Sequence, residues 1–142
     1  MKITIIGAGN MGRGIGTLAV AGRHDVEILD RDPAEARALA DQLGDSATAL
    51  DAAAGFGGEI VVFALYYPGC VASLSHVSVS TGFVISTTTL PPRRSPYSFA
   101  ASLIRGTSSA EEVAQLVPQG TPVVKAFNTT FAPTLIAGEA GG

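Results

Sequence analysis

The sequence predicts an α/β fold: a doubly wound, mainly parallel sheet with helices on both faces, three layers in all. Three observations predict it. Short β-branched runs alternate with stretches of helical period from Lys2 to Lys125. Two runs, Lys2–Ile6 and Glu59–Leu65, are apolar with little alternation, as strands covered on both faces must be. The first of them leads into Gly7-Ala-Gly-Asn-Met-Gly12, a G-x-G-x-x-G placed where a strand turns into a helix.

The elements follow in order. Lys2–Ile6 reads as a central buried strand, and Asn10–Ala21 as a helix closed by Gly22. Gly22-Arg-His24 is the turn back, with His24 expected as an exposed turn residue. Asp25–Leu29 alternates and ends at Asp30, so it is the second strand. This β-α-β unit spans about 30 residues, the length a right-handed crossover needs. Asp32 is an N-cap with Pro33 at the first helical position, and Ala34, Ala38, Leu39 and Leu43 give that helix an apolar face before Gly44 stops it. Ser46–Ala49 is a short third strand and Asp51–Phe56 a weak helix closed by Gly57-Gly58. Glu59–Leu65 is the fourth strand, Pro68–Leu74 a helix, and Gly82–Ser86 the fifth strand.

From 87 to 107 neither period holds. That stretch contains Pro91-Pro-Arg-Arg94, Pro96 and Arg105 and is expected to be an irregular loop, more simply a solvated one than an anion-binding lid. Order returns at Ser108, which forms a capping box with Glu111 and opens a helix to about Leu116. Thr121–Phe127 is the sixth strand, ending at Asn128, and Phe131–Ala137 begins a last helix before a Gly-rich tail.

Composition bounds the rest. The 142 residues fit a single domain able to bury a core. With 46% apolar and 15% charged residues the chain belongs with globular rather than disordered proteins. A net charge of −3 gives no basic footprint for nucleic acid. The single cysteine, Cys70, excludes an intramolecular disulfide and is expected as a small buried hydrophobe. The apolar start breaks at Gly7, too early for a secretory signal, and no run reaches the roughly 18 apolar residues of a membrane span. A cytoplasmic location is therefore expected, and no metal site.

The glycine motif supplies the function. Gly7 allows a tight turn, Gly9 lets a pyrophosphate approach the backbone, and Gly12 lets the helix pack closely on the sheet. The helix N-terminus offers free N–H groups and about half a positive charge to the phosphates. This Rossmann-type arrangement predicts a dinucleotide, NADP or NAD, at the carboxyl ends of the strands. Gly7–Gly12, Asp30-Arg31, Leu65-Tyr66-Tyr67, Thr87-Thr88 and Asn128-Thr129 should converge there. Asp30 suits the ribose hydroxyls of NAD, whereas Arg31 suits a 2′-phosphate.

Gly7-Ala-Gly-Asn-Met-Gly12, Ala64-Leu-Tyr-Tyr67, Ser108-Ser-Ala-Glu-Glu-Val113 and above all Lys125-Ala-Phe-Asn-Thr129 resemble the NADP-dependent oxidoreductases of the deazaflavin coenzyme F-420. The resemblance implies hydride transfer between a nicotinamide and a deazaflavin or flavin-like acceptor, with no catalytic side chain required. It implies cofactor contacts from Gly7, Ala8, Gly9, Asn10, Met11 and Gly12, from Asp30 and Arg31 at the adenosine ribose, from Leu65 and Tyr66, and from Ala126, Phe127 and Asn128 near the nicotinamide. There are three departures. Asp30 stands where such proteins tend to have small or basic residues. Thr87-Thr-Thr-Leu-Pro91 replaces an acidic residue followed by Asn-Pro. The chain also stops before the family's usual C-terminal segment, which the resemblance places in the substrate site and in a homodimer. Two alternatives stay open. One is a dinucleotide-binding module or truncated member without turnover. The other is a different Rossmann reductase, since the glycine segment also resembles pyrroline-5-carboxylate reductase and the β-hydroxyacid dehydrogenases.

Overall fold

In the computed structural model the described residues are 1–51, 55, 57–74, 83–86, 108–127 and 132–137. The expected irregular loop at 87–107, most of the weak helix at 51–56, and Asn128 lie outside them. The elements are β1 (Lys2–Ile6), α1 (Asn10–Ala21), β2 (Asp25–Leu29), α2 (Pro33–Leu43), β3 (Ala47–Ala49), β4 (Ile60–Phe63), α3 (Tyr67–Leu74), β5 (Phe83–Ser86), α4 (Ser109–Leu116), β6 (Val123–Lys125) and α5 (Ala132–Ala137). Every strand pair is parallel, in the order β3-β2-β1-β4-β5-β6. The chain therefore winds outward from β1 first one way and then, after β3, the other. The order reverses between β1 and β4, and a doubly wound sheet opens its ligand crevice at such a point.

The two faces of the sheet explain the apolar runs. Ile3, Ile5, Val26, Ile28 and Val62 point one way, into a core shared with Ile15 and Ala19 of α1 and Ala36, Leu39 and Ala40 of α2. Ile6, Leu29, Val61, Phe63 and Val84 point the other way and pack on Cys70 and Leu74 of α3 and Val113 of α4. Successive strand residues alternate between faces. A strand covered on both sides is then apolar at most positions, which is why Ile3, Ile5 and Ile6 or Val61, Val62 and Phe63 show no period of two, Thr4 being the polar exception in β1. Cys70 behaves as a core hydrophobe: it is fully buried, and burial pushes its thiol up to about 12.

The caps follow the sequence closely. The Asp32 carboxylate accepts the Ala34 N–H at 2.9 Å at the start of α2. At α4 the Ser108 hydroxyl accepts the Glu111 N–H at 3.2 Å while Glu111 accepts the Ser108 N–H at 2.6 Å, the reciprocal pair expected there. The sixth strand is shorter than its apolar run: pairing with β5 covers only Val123–Lys125. Phe127 turns to φ 61° and closes the extended stretch.

The first turn back falls at Gly22-Arg-His24 as expected, and only the exposure of His24 differs from the reading of the sequence. Gly22 has φ −75° and needs no glycine freedom. The left-handed position falls on Arg23, at φ 61°. The Arg23 N–H reaches Val20 O at 2.9 Å and the His24 N–H reaches Ala19 O at 3.0 Å, the paired bonds of a Schellman cap with Arg23 where glycine is usual. This cap also draws His24 inward. It is half-buried rather than exposed, and its Nδ1 is buried with no hydrogen-bond partner among the described residues.

One polar cluster interrupts the second face. Thr4, completely buried, donates its hydroxyl to Glu27 Oε2 at 2.8 Å. The Lys2 ammonium lies 3.0 Å from Glu27 Oε1, and the Gly57 N–H donates to Oε2 at 3.4 Å. Burial by itself would raise the Glu27 carboxyl. The hydrogen bonds from Lys2, Thr4 and Gly57 and the Lys2 charge outweigh it and hold the group below its ordinary 4.5.

Two stability tests follow. Arg23→Gly should stabilise the fold by about 0.5–1 kcal/mol in a denaturant melt, by relieving a left-handed side chain. Because the folded-state pKa of Glu27 is depressed, its contribution is complete above the unfolded value of 4.5 and is lost as pH falls through the folded value. Glu27→Gln should therefore flatten the loss of stability below pH 4.5, measured by melts across the acid range.

Candidate functional site

The strand-to-helix turn is set by steric contacts. Gly7 has φ +112°, and a Cβ there would stand 2.6 Å from the Ala64 carbonyl oxygen and 2.8 Å from Leu65 Cδ2. The turn thus closes directly on the end of β4. A Cβ on Gly12 would stand 1.9 Å from the Gly7 carbonyl oxygen, so α1 approaches its own turn as closely as backbone permits. Protein contacts alone demand glycine at both positions. Gly9 is different. Its φ of −70° suits any residue, and a Cβ there would meet nothing within 4 Å. Nothing in the described chain requires glycine at that point, which leaves room for a ligand to reach the backbone.

The same residue is the N-cap of α1, without a side-chain hydrogen bond to cap the helix. No acidic residue lies in the first turn. The first N–H groups of the helix and the positive end of its dipole are therefore not neutralised by the helix's own side chains, the condition for binding an anion. Arg13, exposed and four residues past Gly9, adds a cation to that turn. The motif singled out the glycines and passed over it; its position in the first turn was the signal.

The predicted residues assemble unevenly. The Gly7 N–H donates to Leu29 O at 2.8 Å, and the Ala8 N–H donates to Asp30 Oδ2, also at 2.8 Å, so the loop is fastened to the end of β2. Asp30 Oδ1 accepts the Asp32 N–H at 3.0 Å. Arg31 is exposed beside it, as is Asn10 on the loop, whereas Met11 packs partly against the first core. Leu65 lies against Gly7 on the opposite side, and Tyr66, next along, is 53% exposed. The turn at Gly7 and Ala8 is thus tied to Leu29 and Asp30 at the end of β2 and set against Ala64 and Leu65 after β4, with Arg31 and Tyr66 next along the chain.

Ala126 and Phe127 follow β6, which β4 and β5 separate from β1. Phe127 packs against the first core. With Ile15, Leu18, Val62 and Ile85 it helps line an apolar hollow of about 260 Å³ on the α1 face of the sheet. A second, polar hollow of about 410 Å³ is lined by Lys2, Asp25, Glu27, Asp45, Ser46 and Thr48. Neither hollow is lined by the glycine loop. Among the described residues no His, Cys, Asp and Glu side chains gather in a set that could hold a metal ion, and no helix is long and apolar enough to cross a membrane.

Known proteins share the family signature and the fold. A family described as NADP oxidoreductase, coenzyme F420-dependent, matches residues 2–89. No curated protein matches the chain. Among solved structures, a hypothetical protein from Sinorhizobium meliloti is similar at 28% identity and TM-score 0.77, over 96% of this chain and 65% of that one. A proposed F420-dependent NADP reductase from Arthrobacter sp. FB24 follows at 23% identity and TM-score 0.70, over 94% and 65%. The 3-hydroxyisobutyrate dehydrogenase of Mycobacterium tuberculosis, at 19% identity and TM-score 0.65 over 96% and 43%, shares the fold. The chain thus spans 65% or less of the length of each of these structures.

The glycines give a paired test. Gly12→Ala should cost at least about 2 kcal/mol of stability, because the clash is with backbone that cannot yield cheaply. Gly9→Val should stay within about 1 kcal/mol of the parent, since the added atoms enter open space. Thermal and denaturant melts of both variants decide it, and equal losses would contradict the assignment of Gly9 as sterically free.

Proposed function

The chain belongs to the NADP oxidoreductase, coenzyme F420-dependent, family, and from that premise we propose that it binds NADP(H) on the Gly7–Gly12 loop and serves hydride transfer to or from a deazaflavin or flavin-like acceptor. The observation that carries the first half is Gly9: an open approach to backbone at the uncapped N-terminus of α1. A pyrophosphate there would accept from the free N–H groups of the first turn and meet the positive end of the helix dipole.

The other residues take their places around that anchor. Arg31 offers a guanidinium to a 2′-phosphate, matching the NADP of the family description. Leu65 and the exposed Tyr66 ring form an apolar border at the crevice, with Tyr66 free to lie against a planar ring. The resemblance to this family puts Ala126, Phe127 and Asn128 near the nicotinamide. A bound nicotinamide supplies the hydride chemistry itself. The protein's part is then to hold two rings in contact and keep water out, so no acid or base among these side chains is needed.

The test is a fluorescence titration with NADPH and NADH, followed by reduction assays with a deazaflavin and with FMN. Binding of NADPH is expected, and Gly9→Val should weaken it by about tenfold or more, corresponding to about 1.4 kcal/mol, while remaining folded. A folded parent that binds neither nucleotide would overturn the reading. Binding without reduction of any acceptor would instead identify a dinucleotide-binding module.

A further inference from the structure

Asp30 directly follows β2, the place where a carboxylate ordinarily reads the hydroxyls of an adenosine ribose. Its hydrogen bonds point to another role. Oδ2 accepts the N–H of Ala8, in the glycine loop, at 2.8 Å. Oδ1 accepts the N–H of Asp32, in the turn before α2, at 3.0 Å. Each oxygen is already engaged by a main-chain donor of its own chain, and such charge-assisted bonds are stronger than those between neutral groups.

What the first bond restrains matters most. Ala8 lies between Gly7, in a left-handed conformation, and Gly9, which has open space around it. Ala8 is buried in the first core, and its packing holds one side of this peptide. Two consecutive N–H groups fasten it to the end of β2: Gly7 on Leu29 O, and Ala8 on Asp30. Removing the carboxylate would leave the Ala8 N–H without that acceptor and the Gly7 bond as the remaining one of the two. On the other side, Asp32 caps α2 through the Ala34 N–H. A continuous line of hydrogen bonds therefore runs from the loop through Asp30 to the start of α2.

We propose that Asp30 is a positioning residue, a clamp that holds the phosphate loop and the ribose turn in fixed relation, and that it acts on a dinucleotide through Ala8 rather than by sorting NADH from NADPH. The proposal rests on the dinucleotide reading above. The clamp fixes the loop before a pyrophosphate arrives and so lowers the ordering cost of binding. That benefit is the same for both nucleotides, because both carry the same pyrophosphate. A 2′-phosphate brought near Asp30 would meet a charge already shared with two N–H dipoles, which weakens the repulsion a free carboxylate would exert.

The experiment has two arms. In the ligand-free protein, amide hydrogen exchange followed by NMR is compared between the parent, Asp30→Asn and Asp30→Ser. Exchange at Ala8 should quicken by about tenfold or more in Asp30→Ser, with the amides of β1 and β2 unchanged. Asp30→Asn keeps one acceptor and should fall between. In the second arm, NADPH and NADH are titrated into the same proteins. Both dissociation constants should rise together by about tenfold in Asp30→Ser, with their ratio preserved within about threefold. A swing of the ratio toward NADPH by about tenfold or more, with Ala8 exchange unchanged, would overturn the proposal and make Asp30 a ribose reader. Faster exchange with unaltered affinities would also overturn it, leaving only a structural bond. A parent that binds neither nucleotide would defeat the dinucleotide reading and the claim on affinity with it, whereas exchange at Ala8 decides the clamp by itself.

Discussion

The contact on which this molecule depends is the approach of α1 to its own preceding turn. The Gly7 carbonyl stands where a side chain on Gly12 would begin, with 1.9 Å between the oxygen and the missing Cβ. That approach places the first turn of the helix at the end of β1. It also sets where the remainder of α1 runs over the sheet, and hence where Ile15 and Ala19 enter the first core. Gly16 continues the pattern, since a Cβ there would lie 2.7 Å from Leu43 Cδ1 of α2. A crowded helix face and an accessible helix end therefore share one cause. Glycine removes side-chain bulk on the side that meets protein, and at Gly9 it removes bulk on the side that does not.

The architecture was largely legible in the sequence because its signals are local. Asp32-Pro33, Ser108 with Glu111, and the apolar runs at Lys2–Ile6 and around Ile60–Phe63 each state an element or a cap within a few residues. The failures were of another kind. Nothing in Gly22-Arg23-His24 says that the arginine rather than the glycine takes the left-handed position, since that follows from how the strand must leave the helix. His24 moved inward with that choice. The sixth strand looked longer than it is because its apolar stretch extends past the residues that β5 can pair.

The site divides the same way. The glycine spacing announces the loop, and the three glycines prove unequal only when their surroundings are known. Gly7 and Gly12 answer to the fold, and Gly9 to whatever the fold leaves room for. Asp30 was readable as an acidic residue at a strand end, but the partners of its two oxygens lie 22 residues back and two residues on, and composition cannot show which it prefers. Arg13 was passed over because the motif ends at Gly12 and says nothing of the charge that follows it.

The packing of α5 on α1 carries one more consequence. A Cβ on Gly14 of α1 would lie 3.4 Å from Ala132 of α5, so the helix that follows the glycine loop is held from one side by an element far along the sequence. Contacts this distant in sequence form late, after the intervening strands have paired. During synthesis on the ribosome, the glycine loop emerges well before α5. The nascent α1 must therefore exist for a period without the restraint that α5 supplies.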